Sequence, residues 1–333
     1  MARALCIWLA LALLAAGATL LALSVGSSTI APLDVLRLLF APDASAASEV
    51  LHALRLPRVL AALGTGGLLG VAGALMQVLL RNPLADPYVL GVSGGAAVGA
   101  LGAMMLGAGA AFMQLGAFGG ALLSAALVLA IAHRDLSRLA AAGSSDTAPR
   151  LLLTGVVLAA GWSALITLLL AVAPDAQLRG MLFWLSGDLG AADVGAWPLA
   201  ALALVLLLAV PVARECNVLL RGPGLAQALG VAVGPLRLWL YVLASLATAV
   251  AVTTAGSVGF IGLVVPHALR LSIGNDQRVL LPACALAGGA LLLLADTLAR
   301  SAIAPQQLPV GVITALLGVP SFLFLLMRRG RVA

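Results

Sequence analysis

The chain has 333 residues, of which 63% are hydrophobic and 9% charged, and its mean hydropathy is +1.16. A water-soluble surface needs roughly a quarter charged residues, so a soluble fold is excluded and the chain reads as an integral membrane protein. The net charge of +6 comes from arginine alone, with no lysine anywhere, and the arginines are scattered singly between apolar runs. Nucleic-acid binding would need a stripe or patch, and a phosphate-loop lysine and a Schiff-base lysine are both excluded. Cys6, Cys216 and Cys284 lie far apart, and His52, His133 and His267 are isolated. No CxxC, paired spacing or metal site is legible, and each cysteine reads as small apolar filler.

In chain order, residues 5–25 are an uninterrupted apolar run, and about 20 residues cross the hydrocarbon core. Arg3 before it and Ser27 and Ser28 after it raise a cleavable signal peptide, but the run exceeds a signal core of about 7–15 residues. It is read as a retained first helix. Residues 27–58 read as a long polar connection holding Asp34, Asp43, Glu49 and the run LRLPR. Span two, 59–80, carries Gly64, Gly66, Gly67, Gly70 and Gly73, small residues that let neighbouring backbones approach closely.

The stretch RNPLADPYVLGVSGG at 81–95 follows. Pro83 and Pro87 each remove a backbone donor and bias the residue before them away from the helix, so no continuous helix can pass. Asn82, Asp86 and Ser93 need water or protein partners, which makes the stretch a re-entry point between spans two and three.

Spans three, four and five are read at 89–106, 112–132 and 151–173, with 133–150 as a polar connection. Residues 174–193 hold a short amphipathic piece in which Trp184 suits a membrane interface. Span six is 194–212 and span seven 238–255; 258–265 is too short to cross unless it continues past Pro266, and 279–299 and 310–327 complete about ten membrane helices. With the N-terminus inside, the inner loops carry Arg3, Arg81, Arg134, Arg138, Arg150, Arg214, Arg221, Arg237, Arg270, Arg278, Arg328, Arg329 and Arg331, and the outer loops only Arg37, Arg55, Arg58, Arg179 and Arg300. That bias predicts both termini in the cytoplasm.

No Asp, Glu, Arg or His is expected near the middle of a span, whereas a proton-driven carrier normally needs a titratable group at membrane depth. Energy for a pump would then come from a partner. Gln77, just before the proline-punctuated stretch, and Asn82 within it are the candidate pathway residues. The polar segment 214–237 is the candidate docking place for that partner: residues 225–229 make little more than one turn, stopped by Gly230 and preceded by Gly222-Pro223-Gly224, and so short a helix is not stable alone in water.

These blocks carry a resemblance. LRLPR at 54–58, the glycine-rich span ending in Gln77, RNPLA at 81–85, LGVS at 90–93, GFIGLVVPHALRL at 259–271, LLLLADTLAR at 291–300 and LPVGVITALLGVPSFLFLL at 308–326 resemble, end to end and in order, the FecCD/BtuC-like permease family of type II ABC importers. That family takes up cobalamin, haem and iron-siderophore complexes. The resemblance implies an all-α polytopic membrane protein with a BtuC-like permease fold, one permease domain over 1–333, and a homodimer in the bacterial inner membrane. It implies two cytoplasmic ATPase subunits that bind ATP and Mg, a periplasmic substrate-binding protein, and no catalytic residue, cofactor or metal in this chain.

It also assigns binding-protein docking to Arg55, Arg58 and Arg300, whose planar guanidinium forks suit carboxylates, and ATPase coupling to Gly222, Pro223, Ala226, Leu229 and Gly230. Many relatives have an acidic residue where this chain has Pro223. Cytoplasmic closure maps to the region 133–153. Membrane lipid is the other expected partner, and nucleic acid is not one. An ion-coupled secondary carrier working without an ATPase is the alternative.

Overall fold

Within hydrocarbon every backbone N–H and C=O must bond inside the protein, so apolar runs of this length become helices. The computed structural model describes residues 2–26, 29–142, 147–190, 195–304 and 306–329. In chain order the helices are α1 (Ala2–Ser24), α2 (Pro32–Phe40), α3 (Ala46–Glu49), α4 (Leu56–Leu79), α5 (Val92–Met105), α6 (Ala110–Ala142), α7 (Thr147–Val172), α8 (Asp175–Leu185), α9 (Trp197–Ala209), α10 (Ala213–Leu219), α11 (Pro223–Ala228), α12 (Val233–Ala255), α13 (Ile261–Ile273), α14 (Gln277–Ser301) and α15 (Val310–Arg329). A π-helical turn, Val50–Arg55, joins α3 to α4, and a 3-10 turn, Pro87–Leu90, precedes α5.

Six of the described helices or helical stretches are long and apolar enough to cross a membrane, and α9 with α10, bent by 63°, would make a seventh. Three shorter apolar helices, α5, α13 and the Val310–Phe324 part of α15, lie where further spans are expected. Following the arginine bias, the Arg58 end of the bundle is taken as outer and the Arg278 end as inner.

The bundle is organised around α4, whose apolar window is 89% buried, against 6% for α1 and α7. Lipid is as apolar as leucine, so helices associate through close packing rather than through a hydrophobic drive. The glycines of α4 supply that closeness. A Cβ on Gly66 would fall on the Gly288 carbonyl of α14, one on Gly70 would lie 2.5 Å from the Cys284 carbonyl, and one on Gly73 would fall on the Gly262 carbonyl of α13. At the periphery α1 is tied in by Trp8, whose Nε1 donates to the Val279 carbonyl at 3.1 Å.

Three sequence expectations change. Residues 27–58 are not one loop: α2 occupies part, and helix runs from Ala46 through the π turn into α4, so Arg55 and Arg58 stand on helix. The polar connection expected at 133–150 is mostly helix, because α6 continues to Ala142 and α7 begins at Thr147. Polar residues there extend helices rather than end them. Span six is shortened to α9 and broken before α10.

Finally, α13 does continue past Pro266, which brings His267 inside a helix, fully buried, its ring edge-on to Phe322 at 5.9 Å. His267 thus stands at the middle of a 13-residue apolar helix that is too short by itself to count as a span. Ser27, Ser28, the centre of the expected closure region (143–146), Asp193 and Arg331 lie outside the described residues.

Candidate functional site

At the outer end two arginines, Arg58 and Arg300, pair with one carboxylate, Asp296. Arg58, two residues into α4, donates from Nη2 to Asp296 Oδ1 at 2.8 Å and from Nε to both carboxylate oxygens at 3.1 and 3.0 Å. Its Nη1 reaches Gln307 Oε1 at 2.9 Å. Arg300, one turn beyond Asp296 on α14, approaches Oδ2 to 3.2 Å as an ion pair and donates from Nη2 to the Ala22 carbonyl at 3.0 Å. Asp296 is fully buried, while the side chains of Arg58 and Arg300 keep 12% and 10% exposure.

Arg55 differs from its two neighbours. It is 4% exposed, and its Nη1 donates to the Leu23 and Ser24 carbonyls at the end of α1, at 2.5 and 3.1 Å. Those are orphan acceptors of a helix C-terminus, where a cation is favoured. Gly26 makes room: a Cβ there would lie 2.9 Å from Arg55 Nη2. The structure therefore gives Arg55 an inward-facing contact with α1, unlike the outward fork expected of a docking residue.

Between this cluster and α8 lies a cavity of about 860 Å³ lined by Gln114, Arg179, Trp184, Asp188, Thr253 and Gln306, among others. One positive and one negative side chain balance there, and the remaining polar groups are neutral amides and hydroxyls. Asp188 Oδ1 accepts from the Gly190 amide at 2.7 Å, fixing the turn after α8.

At the inner end α11 is six residues long, with Pro223 at its start, where the missing N–H costs nothing. Gly222 and Gly230 flank it at φ 128° and 84°, conformations that favour glycine. Ala226 is fully buried and anchors the turn, while Leu225 and Leu229 are 48% and 64% exposed. The short helix therefore holds two leucines outward.

The proline-punctuated stretch lies between. Asn82 Oδ1 accepts from the Leu84 amide at 2.9 Å, and Asp86 Oδ1 from the Tyr88 amide at 2.8 Å. Both side chains thus build turns. Burial pushes the Asp86 carboxyl up to about 6, and the Tyr88 amide pulls the other way. Gln77 is 1% exposed, with Nε2 at 3.4 Å from both the Ala85 and the Leu263 carbonyls. Its position is a packing corner joining α4, the stretch and α13.

Sequence reasoning missed three residues that hold this stretch. Tyr88 Oη accepts from the Val258 amide at 3.2 Å, in the turn before α13. Ser124 on α6 donates to the Gly91 carbonyl at 2.9 Å and accepts from Trp162 Nε1 on α7 at 2.9 Å. The only signals available were a serine and a tryptophan within apolar runs, which need partners when buried.

Residues 12–328 match the FecCD transport family. The vitamin B12 import system permease protein BtuC of Salmonella typhi is 42% identical over 331 residues, covering 97% of this chain and 95% of that protein. That of Escherichia coli O127:H6 is 44% identical over 285 residues, covering 84% and 83%. Among solved structures, an inward-facing conformation assigned to the metal-chelate type of ABC transporter superposes with a TM-score of 0.82 at 28% identity, covering 97% of this chain and 99% of that one. PsaBC from Streptococcus pneumoniae in complex with Fab, at 20% identity and a TM-score of 0.56, covers 88% and 94% and shares the fold. The glycine-packed helical bundle and these matches agree, and the chain belongs to the FecCD transport family as the permease of an ABC importer.

Proposed function

We propose that this permease works as a homodimer in the inner membrane of a Gram-negative bacterium, with both termini cytoplasmic and a translocation path on the two-fold axis. Two cytoplasmic ATPase subunits, holding ATP and Mg, engage residues 214–237 through α11, and a periplasmic binding protein delivers a cobalamin-type chelate. Arg58 and Arg300 receive the binding protein's carboxylates, whereas Arg55 is assigned to holding α1. The observation that carries the ATPase contact is the exposure of Leu225 and Leu229 on a helix too short to be stable by itself. Pro223 stands where an acidic contact would otherwise be, so the contact is read as apolar.

The cargo assignment rests on the relatives named for vitamin B12 import and on the charge-balanced, amide-bearing cavity at the outer end, which suits a bulky neutral chelate better than a dianionic porphyrin. Co-expression of tagged permease with its ATPase tests the contact. Leu229→Asp is expected to lower the ATPase recovered with the permease about tenfold or more, since a buried interface leucine is worth about 1.5–3 kcal/mol before the charge is added. Equal recovery with the wild type and the variant would refute it.

A further inference from the structure

A side chain of α10, the segment next to α11, hydrogen-bonds to the start of α14. Asn217, on α10, donates from Nδ2 to Asp276 Oδ1 at 2.8 Å and accepts at Oδ1 from the Gln277 amide at 2.8 Å. Asp276 is the N-cap of α14, its Oδ1 also accepting from the Arg278 amide at 3.1 Å. One amide therefore satisfies both the capping carboxylate and an orphan donor of the helix start. Arg278 holds the Asp276 carboxyl down at about 2, so the acceptor is a carboxylate at all physiological pH values.

On the other side α10 runs into α11 through backbone bonds, Gly222 N to the Leu219 carbonyl at 3.1 Å and Ala226 N to the Gly222 carbonyl at 3.0 Å. Ala213, Cys216 and Leu219 of α10 are fully buried, so α10 and α11 form one seated unit. The helix it grips, α14, has 25 residues and spans about 37 Å at 1.5 Å per residue. Its far end carries Asp296 with Arg58 and Arg300.

We propose that Asn217 is a positioning residue that couples the α10–α11 unit to α14, so that displacement of α11 at the inner end reaches the arginine cluster at the outer end along one continuous helix, which has Pro282 in its second turn. This rests on the reading of α11 as the ATPase contact. Both ends of α14 are then fixed to charged groups, and a shift at one end must be accommodated at the other, because a packed helix is not continuously deformable.

The test uses the complete complex of permease, ATPase and binding protein in proteoliposomes, with ATP hydrolysis measured with and without binding protein. Asn217→Asp is isosteric and sets two carboxylates against each other. Adding Asp276→Asn exchanges the partners and restores a donor opposite an acceptor, and the Gln277 amide keeps its acceptor; because Asp276 Oδ1 also accepts from the Arg278 amide and Nε, Asp276→Asn alone is run beside it to measure what loss of that cap costs. The single variant is expected to reduce stimulation by the binding protein about fivefold or more, the lower range of coupling between sites, with the ATPase still co-purifying. The exchange is expected to recover the stimulation.

Unchanged stimulation in the single variant overturns the proposal, as does an exchange that fails to recover it. Loss of the ATPase from the single variant also overturns it, because Asn217 would then hold the assembly together rather than transmit through it. Failure of the wild-type permease to retain the ATPase would instead count against the α11 reading itself.

Discussion

Asp296 shares one fully buried carboxylate between two guanidiniums, which leaves one positive charge of the trio uncompensated at the outer end. Removing one partner from a buried pair costs about 3–5 kcal/mol because the remaining charge has nowhere to go, so Asp296 is the structural member. The excess cation is what an incoming carboxylate can meet. Arg58→Glu is therefore expected to weaken docking of the binding protein, most strongly at low ionic strength where charge attraction is least screened. Docking that stays unchanged at low and moderate salt, measured by surface capture of the permease, would remove Arg58 from that role.

None of this pairing was legible in the sequence beyond Arg300 and Asp296, one turn apart. Arg58 and Asp296 are separated by 238 positions, and Arg55 finds carbonyls 31 and 32 positions away. The residue types told of charge at an aqueous end, but not which of them would turn inward.

Two of the helix breaks, by contrast, could be read directly, because proline and glycine act on their own backbone, although the break between α9 and α10 was not. Pro83 and Pro87 stop α4 from continuing into α5, and Gly222 and Gly230 bound α11. The glycines of span two also announced close packing, and α4 is indeed the buried centre. Misreadings came where polarity was taken for irregular structure: 133–142 continues α6, and 46–58 is helical. Polar side chains on a helix that leaves the membrane disturb neither its hydrogen bonds nor its propensity.

The close packing makes a test at the same scale. Gly73→Val would drive a branched side chain into the Gly262 carbonyl and is expected to cost about 1–3 kcal/mol as overpacking. Gly102→Val on α5 meets nothing within 4 Å and controls for the helix propensity of the new residue. Melting in detergent should fall for Gly73→Val alone; equal shifts in the two variants would argue against contact between α4 and α13 as a source of stability.

At the scale of the molecule, one helix, α14, joins the Asp276 end of the bundle to the Asp296 end. Its inner end is held by Asn217 and its outer end by Arg58. Among the described residues no cluster of three or more metal-ligating side chains occurs. The family and the fold were legible because the motifs run the length of the chain in order. The Asn217 contact was not, since it depends on α10 lying beside the start of α14, a juxtaposition set by packing alone.

The alternative of an ion-coupled carrier gains one feature from the structure, the buried His267 within α13, since a titratable group at membrane depth is what such a carrier uses. Uptake into sealed vesicles separates the two most directly. With permease, ATPase and binding protein reconstituted together, accumulation of labelled cobalamin should require ATP, should stop when the ATPase is omitted, and should ignore an imposed proton or sodium gradient. Accumulation driven by an ion gradient through the permease alone would contradict an ATP-driven importer.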